Sequence, residues 1–254
     1  MRKKARIYVI KLNRKVLILL GIIVLSIIAI CFLKNSKLIN VLNDRFNNKI
    51  VIDPGHGGID GGTSDKEGLL EKDINLDISL KLRRELKKEG FKVIMTRDTD
   101  ISLEEFSDIN SSRYRRDLNA RKTIINESNP LMFISIHVNS SKKSTARGVK
   151  VYYYPTSIEG KRLAECICKS VDINVYQNFL RDNSMKAEVI PENYYVLRES
   201  ESTGVLVETG FITNLEDKKL LTDEEYQKKV AFAIKEGIKE YRENETDTFS
   251  KGTQ

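Results

Sequence analysis

Lys49-Ile-Val-Ile-Asp-Pro-Gly-His-Gly-Gly58 is the stretch on which the fold turns: a short apolar run that ends in Asp53, Pro54 and a glycine cluster. A run of this kind, bounded by turn residues, is a buried strand feeding a loop. Residues 71–89 follow, with Ile74, Ile78, Leu82 and Leu86 spaced i, i+4, Glu71 and Asp73 at the start, Lys87 and Lys88 at the end and Gly90 just beyond. That spacing predicts an amphipathic helix whose end charges suit its dipole. FKVIMT (91–96) is a second strand, 111–127 a polar helix with a thin apolar stripe, and LMFISI (131–136) a third strand. Residues 149–154 form another strand and 157–171 another helix; 195–197 and 205–207 are two late strands. A closing helix over 226–241 carries Tyr226, Val230, Ile234 and Ile238 on one face. Residues 172–191 fit no period and read as a surface loop, and 244–254 as a polar tail. Strands alternating with helices imply an α/β fold around a largely parallel sheet, in one domain over 48–243.

The 254 residues include 43 Lys+Arg and 36 Asp+Glu, a formal charge of +7. Seven of those cations (Arg2, Lys3, Lys4, Arg6, Lys11, Arg14, Lys15) fall in the first fifteen residues, which hold no acid, so the other 239 residues balance at 36 of each sign. The excess is a leader over 1–15, and no nucleic-acid partner is expected. Residues 16–33, VLILLGIIVLSIIAICFL, are eighteen uncharged residues between Lys15 and Lys34. As a helix they rise about 27 Å, near the ~30 Å of a bilayer core. No small-residue cleavage site follows. The expectation is an uncleaved single-pass transmembrane helix over 16–33, a linker over 34–47 and the working domain on the outer side of the membrane. Cys166 and Cys168 lie two apart on one helix and cannot easily bridge, so the domain relies on an ordinary core.

The two histidines, His56 and His137, each follow a strand. In an open α/β sheet the carboxyl ends of strands are where sites are built, and paired imidazoles there are candidate ligands of a catalytic metal. Glu71, opening the first long helix, is the candidate third ligand; its alternative role is a first-turn acid that complements the helix dipole. Glu208 ends the run Val205-Leu-Val-Glu208, where a carboxylate must meet a metal, a cation or water. Beside a metal-activated water it can carry a proton. G-x-S-x-G, G-x-x-x-x-G-K-[ST] and H-E-x-x-H are absent, and the Gly55 loop lacks the third glycine of a dinucleotide site. A glycosidase-type carboxylate pair drawn from Asp53, Asp60, Glu71 and Glu208 leaves both histidines without a role.

Ile52-Asp-Pro-Gly-His-Gly-Gly58 with Asp60-Gly61, Gly68-Leu-Leu-Glu71 with Asn75, Ser135-Ile-His137-Val-Asn139, and Leu206-Val-Glu208-Thr-Gly-Phe211 with Asn214 occur in this order over residues 49–241. The set resembles the zinc-dependent N-acetylmuramoyl-L-alanine amidases of bacterial cell walls. The resemblance implies a mostly parallel six-stranded sheet with helices on both faces. It also implies one Zn²⁺ held by His56, Glu71 and His137, with Glu208 as catalytic acid/base. The implied reaction is hydrolysis of the amide between the lactyl group of N-acetylmuramic acid and L-alanine of the stem peptide in peptidoglycan. Asn75, Asn139 and Arg198 are the expected substrate contacts. An anchor, one catalytic domain and a short tail are similar to the germination-specific, sporulation-type amidases, which strip peptides from spore-cortex muramic acid so that muramic δ-lactam can form. Without wall-binding repeats, substrate capture or activation calls for an accessory protein. Two other readings stay open: a catalytically silent, membrane-anchored glycan- or partner-binding protein of the same fold, and a zinc peptidase cutting within the stem peptide. One departure is Gly204 ahead of Val205, where relatives often carry proline nearby.

Overall fold

The computed structural model describes residues 13–34 and 48–251, and the chain divides into two compact units, Met1–Asn47 and Asn48–Gln254. Most of the basic leader (1–12), nearly all of the linker (35–47) and the last three residues lie outside the described residues. In the first unit, helix α1 (Arg14–Lys34) starts at Asn13, whose Oδ1 accepts from the Lys15 N–H at 3.1 Å. Among the described residues, no helix is long and apolar enough to cross a membrane. This corrects the transmembrane helix expected over 16–33, and with it the membrane as a partner and the placement of the domain on its outer side. The eighteen uncharged residues rise only about 27 Å, short of the ~30 Å hydrocarbon layer, and Arg14, Lys15 and Lys34 belong to the same helix.

The second unit runs β1 (Lys49–Pro54), α2 (Glu71–Lys88), β2 (Lys92–Met95), a 3₁₀ turn (Glu104–Phe106), α3 (Arg113–Ser128), β3 (Met132–Asn139), β4 (Lys150–Tyr153) and α4 (Ile158–Val171). A π-helical segment (Asp172–Leu180) leads to β5 (Glu188–Pro191), α5 (Tyr195–Glu199), β6 (Thr203–Phe211), α6 (Leu215–Leu221) and α7 (Glu224–Lys251). The strands form one six-stranded sheet in the order β2-β1-β3-β6-β4-β5, parallel throughout except between β4 and β6.

Side chains alternate across the sheet, and the two faces are unequal. Ile50, Ile52, Ile134, Ile136, Val205 and Val207 point to one face, where α2, α4 and α7 cover them with Ile78, Leu82, Ile167 and Ile234. The other face carries Val51, Phe133 and Leu206 under Ile125 of α3 and Val196 and Leu197 of α5. Registers Asp53↔Ser135 and His137↔Glu208 put four polar side chains on this thinner face, at the carboxyl ends of adjacent parallel strands. A Cβ at Gly204 would lie 1.9 Å from Cε1 of Phe133. The close approach of β6 to the Phe133 ring therefore requires glycine there.

Three segments differ from their sequence pattern. Tyr195 and Val196, aromatic and β-branched, have strand propensity, yet residues 195–197 belong to helix α5 because Val196 and Leu197 cap the thin face. Residues 172–191 are ordered by long-range contacts: Tyr176 is fully buried and its hydroxyl accepts from the Val149 N–H at 2.7 Å, and β5 then adds to the edge of β4. Helix α7 continues to Lys251, through most of the residues expected as a polar tail.

Candidate metal centre

The site begins where β1 ends. The Gly55 N–H donates to the Ile136 carbonyl at 2.9 Å, and a Cβ at residue 55 would sit 2.2 Å from Cε1 of His137. The imidazole thus packs directly on the loop backbone. His56 itself has φ +59°, a left-handed conformation that costs about 1–2 kcal/mol for a residue with a Cβ. Two buried arginines hold it there. Arg97 donates to the carbonyls of Pro54 at 3.1 Å and Gly55 at 2.8 Å. Arg121 donates to those of Pro54 and His56, both at 2.7 Å. The Arg121 charge is met by Asp53 at 2.7 Å and Asp117 at 2.6 Å. Burial pushes Asp53 up, but Arg121 and the hydroxyls of Thr96 and Ser135 outweigh it and hold the carboxyl below its ordinary value.

Glu71 enters over the same loop at the start of α2. Its Oε2 accepts from the Thr63 N–H at 2.8 Å, and its Oε1 accepts from the Val138 N–H at 3.1 Å and from Asn75 Nδ2 at 3.2 Å. That same Oε1 lies 3.0 Å from His137 Nδ1 and 3.3 Å from His56 Nε2. One ligand atom from each of His56, Glu71 and His137 falls within 4.8 Å of the others. Burial would raise the Glu71 carboxyl, yet its bonds to the two imidazoles hold it far below the usual range. Both nitrogens of His56 face carboxylates, Nδ1 lying 2.8 Å from Asp60 Oδ2. Burial opposes a charged ring, but Asp60 and Glu71 prevail and push His56 up to about 9. A cation held by the three donors would take the place of the proton on Nε2, while Nδ1 would keep its proton and donate it to Asp60, the outer-carboxylate arrangement of metal-bound histidines. Two imidazoles and a carboxylate suit zinc in particular.

Glu208 stands beside His137 in register and is 8% exposed; its Oε2 is buried with no hydrogen-bond partner. Burial, then the Glu71 charge, push its carboxyl up to about 8 against the pull of His56. It lines a cleft on the thin face with His56, His137, Leu206, Tyr194 and Tyr195. Asn75 is wholly buried, bonded to Glu71 and to the Gly55 carbonyl, so it braces the donor set and does not face the cleft. Asn139 ends β3 with Nδ2 3.5 Å from the Tyr152 hydroxyl. Arg198 is held by Glu199 and Asn193 against the Tyr195 ring and is not among the side chains lining the cleft. Sequence patterns did not single out Arg97, Arg121 or Tyr194. For Asp60 a signal existed, four residues after His56.

A family model described as N-acetylmuramoyl-L-alanine amidase matches residues 50–240. The chain belongs to that family. This makes it a hydrolase, and it is the family that the Ile52–Gly58, Glu71, His137 and Glu208 motifs resemble. Germination-specific N-acetylmuramoyl-L-alanine amidase of Bacillus subtilis is 36% identical to this amidase over 193 residues, 76% of this chain and 78% of that protein. The amidase LytC of the same organism is 34% identical over 212 residues, 82% of this chain but 38% of its own length. Among solved structures, the CwlD amidase from Clostridioides difficile in complex with the GerS lipoprotein superposes with a TM-score of 0.69 at 38% identity, covering 78% of this chain and 99% of that one. A second Clostridium difficile amidase superposes with a TM-score of 0.64 at 30% identity, covering 77% of this chain and 96% of that one.

Proposed function

We propose that this amidase hydrolyses the amide between the lactyl group of N-acetylmuramic acid and L-alanine of the stem peptide in peptidoglycan, with one zinc ion held by His56, Glu71 and His137. The observation that carries this reading is the unpartnered, buried Oε2 of Glu208 on the same sheet face as His137. Zinc, when bound, polarises the scissile carbonyl and eases deprotonation of the attacking water. Glu208 takes the water proton and delivers it to the alanine nitrogen as the C–N bond breaks. A carboxyl displaced upward by burial, and drawn down again by a neighbouring cation, is tuned toward the neutral pH such a proton carrier needs. Asp53 is not available for this task, because Thr96, Ser135 and Arg121 occupy its oxygens.

The likeness to germination-specific relatives supports a role in spore-cortex maturation, where peptide removal precedes muramic δ-lactam formation. The domain that does this work spans residues 48–243. CwlD is found with a lipoprotein, which supports an accessory protein as partner of this chain for activation or substrate capture. The test is mass spectrometry of peptidoglycan incubated with the whole chain and zinc. Free stem peptides that begin at L-alanine are expected. Cleavage only within the stem peptide favours a zinc peptidase, and glycan binding without cleavage favours a silent member of the fold.

A further inference from the structure

Several polar groups lining the cleft make no hydrogen bond among the described residues, and two of them matter here. One is Oε2 of Glu208. The other is the hydroxyl of Tyr194, a residue otherwise engaged through its ring and through its carbonyl, which accepts from the Arg198 N–H at 3.0 Å. Tyr194 precedes α5, is 37% exposed and lines the cleft with His56, His137 and Glu208. Its ring is set edge-on against Tyr152, with centroids 5.3 Å apart and planes at 77°. Tyr152 is in turn fixed on β4 opposite Leu206. Burial, and next the Glu208 charge, push the Tyr194 phenol upward, so it keeps its proton.

An amide group presents one acceptor, its carbonyl oxygen, and one nitrogen that must gain a proton to leave. The cleft offers the complement: the proton-carrying Glu208 carboxylate and, within reach of its charge, the Tyr194 hydroxyl as donor, whereas the Tyr195 ring is taken up by Arg115 and Arg198. We infer that the Tyr194 hydroxyl donates a hydrogen bond to the carbonyl oxygen of the scissile amide, an inference that rests on the amide hydrolysis proposed above. As the water oxygen bonds to the carbonyl carbon, the C=O electron pair moves onto that oxygen and the Tyr194 O–H stabilises it. No proton passes from the phenol. When the C–N bond breaks the pair returns, the nitrogen carries away the proton delivered by Glu208, and the carboxyl remains on the lactyl group. A donor already in place where charge develops acts on the transition state more than on the bound substrate.

Tyr194→Phe removes this donor and keeps the ring against Tyr152. With a muramoyl tripeptide as substrate, kcat should fall about 10²-fold, the usual effect of losing one such donor. KM should stay within about twofold, and zinc content and melting temperature should match the parent. Affinity for a phosphonate mimic of the tetrahedral carbon should fall along with kcat. A Tyr194→Phe chain that keeps kcat within about twofold, or loses activity through KM alone, overturns the inference and leaves the amidase assignment standing. A parent chain that releases no L-alanine-started peptide overturns both.

Discussion

Arg121 and His56 are tied through the backbone: Nη2 of Arg121, on α3, donates at 2.7 Å to the carbonyl of His56, whose φ is +59°. The same guanidinium serves Asp53, Pro54 and Asp117, and both it and Asp53 are almost fully buried. Arg121→Met leaves Asp53 buried without its cation, a loss of about 3–5 kcal/mol in unfolding free energy. Arg121→Lys keeps the charge but cannot reach four partners at once. It should fold, with zinc affinity lowered at least about tenfold because the His56 loop is no longer held. Urea denaturation and competitive zinc titration check these outcomes; parent-like zinc affinity in Arg121→Lys counts against the loop clamp.

Two glycines separate the site from the fold. A Cβ at Gly55 would meet the His137 ring at 2.2 Å, and one at Gly204 the Phe133 ring at 1.9 Å. Gly55→Ala should displace His137 and reduce bound zinc sharply. Gly204→Ala should lower stability by about 1–3 kcal/mol, as overpacked cores do, with zinc stoichiometry kept in the folded fraction. Metal analysis beside thermal denaturation distinguishes the two.

The metal-free protein should lose stability as pH rises. The folded carboxyl of Glu208 is raised from its ordinary value to about 8. Between about pH 4.5 and 8 the folded state therefore binds more protons than the unfolded state, and stability declines with pH. His56, raised from 6.5 to about 9, adds a decline of the same sign over its own window. Glu208→Gln removes the first contribution alone. The stripped variant should gain on the stripped parent by up to a few kcal/mol between pH 5 and pH 8. A constant difference between the two across that range contradicts the burial of an ionising Glu208.

Chelation should abolish hydrolysis and lower the melting temperature, and added zinc should restore both, since a ligand that binds the folded state stabilises it. His137→Ala should show neither response to zinc. Glu208→Gln should bind zinc normally and lose about 10²–10⁴-fold in kcat, the usual contribution of a general acid/base.

Much of this architecture was legible locally. β1, α2 and β3 announce themselves by periodicity, and a histidine after each of two strands marked the sheet edge. Glu71 was ambiguous because a first-turn acid suits a helix dipole equally well; only the approach of two imidazoles to one of its oxygens decides how it is placed. Arg121 lies in the polar helix expected over 111–127, and no local pattern pairs it with Asp53, 68 residues away. Tyr194 and α5 were hidden by strand-like composition that packing overrides. The run over 16–33 misled in the opposite direction, because it lacks charge yet falls short of a membrane-crossing helix.

The most direct measurement is hydrolysis of peptidoglycan by the zinc-loaded chain in ¹⁸O-labelled water, followed by mass spectrometry of both product halves. Attack at the lactyl carbonyl places a single ¹⁸O in the carboxyl of muramic acid and leaves an unlabelled stem peptide that begins at L-alanine. Label in a peptide carboxyl or at a sugar reducing end, with the lactyl carboxyl unlabelled, would contradict the account.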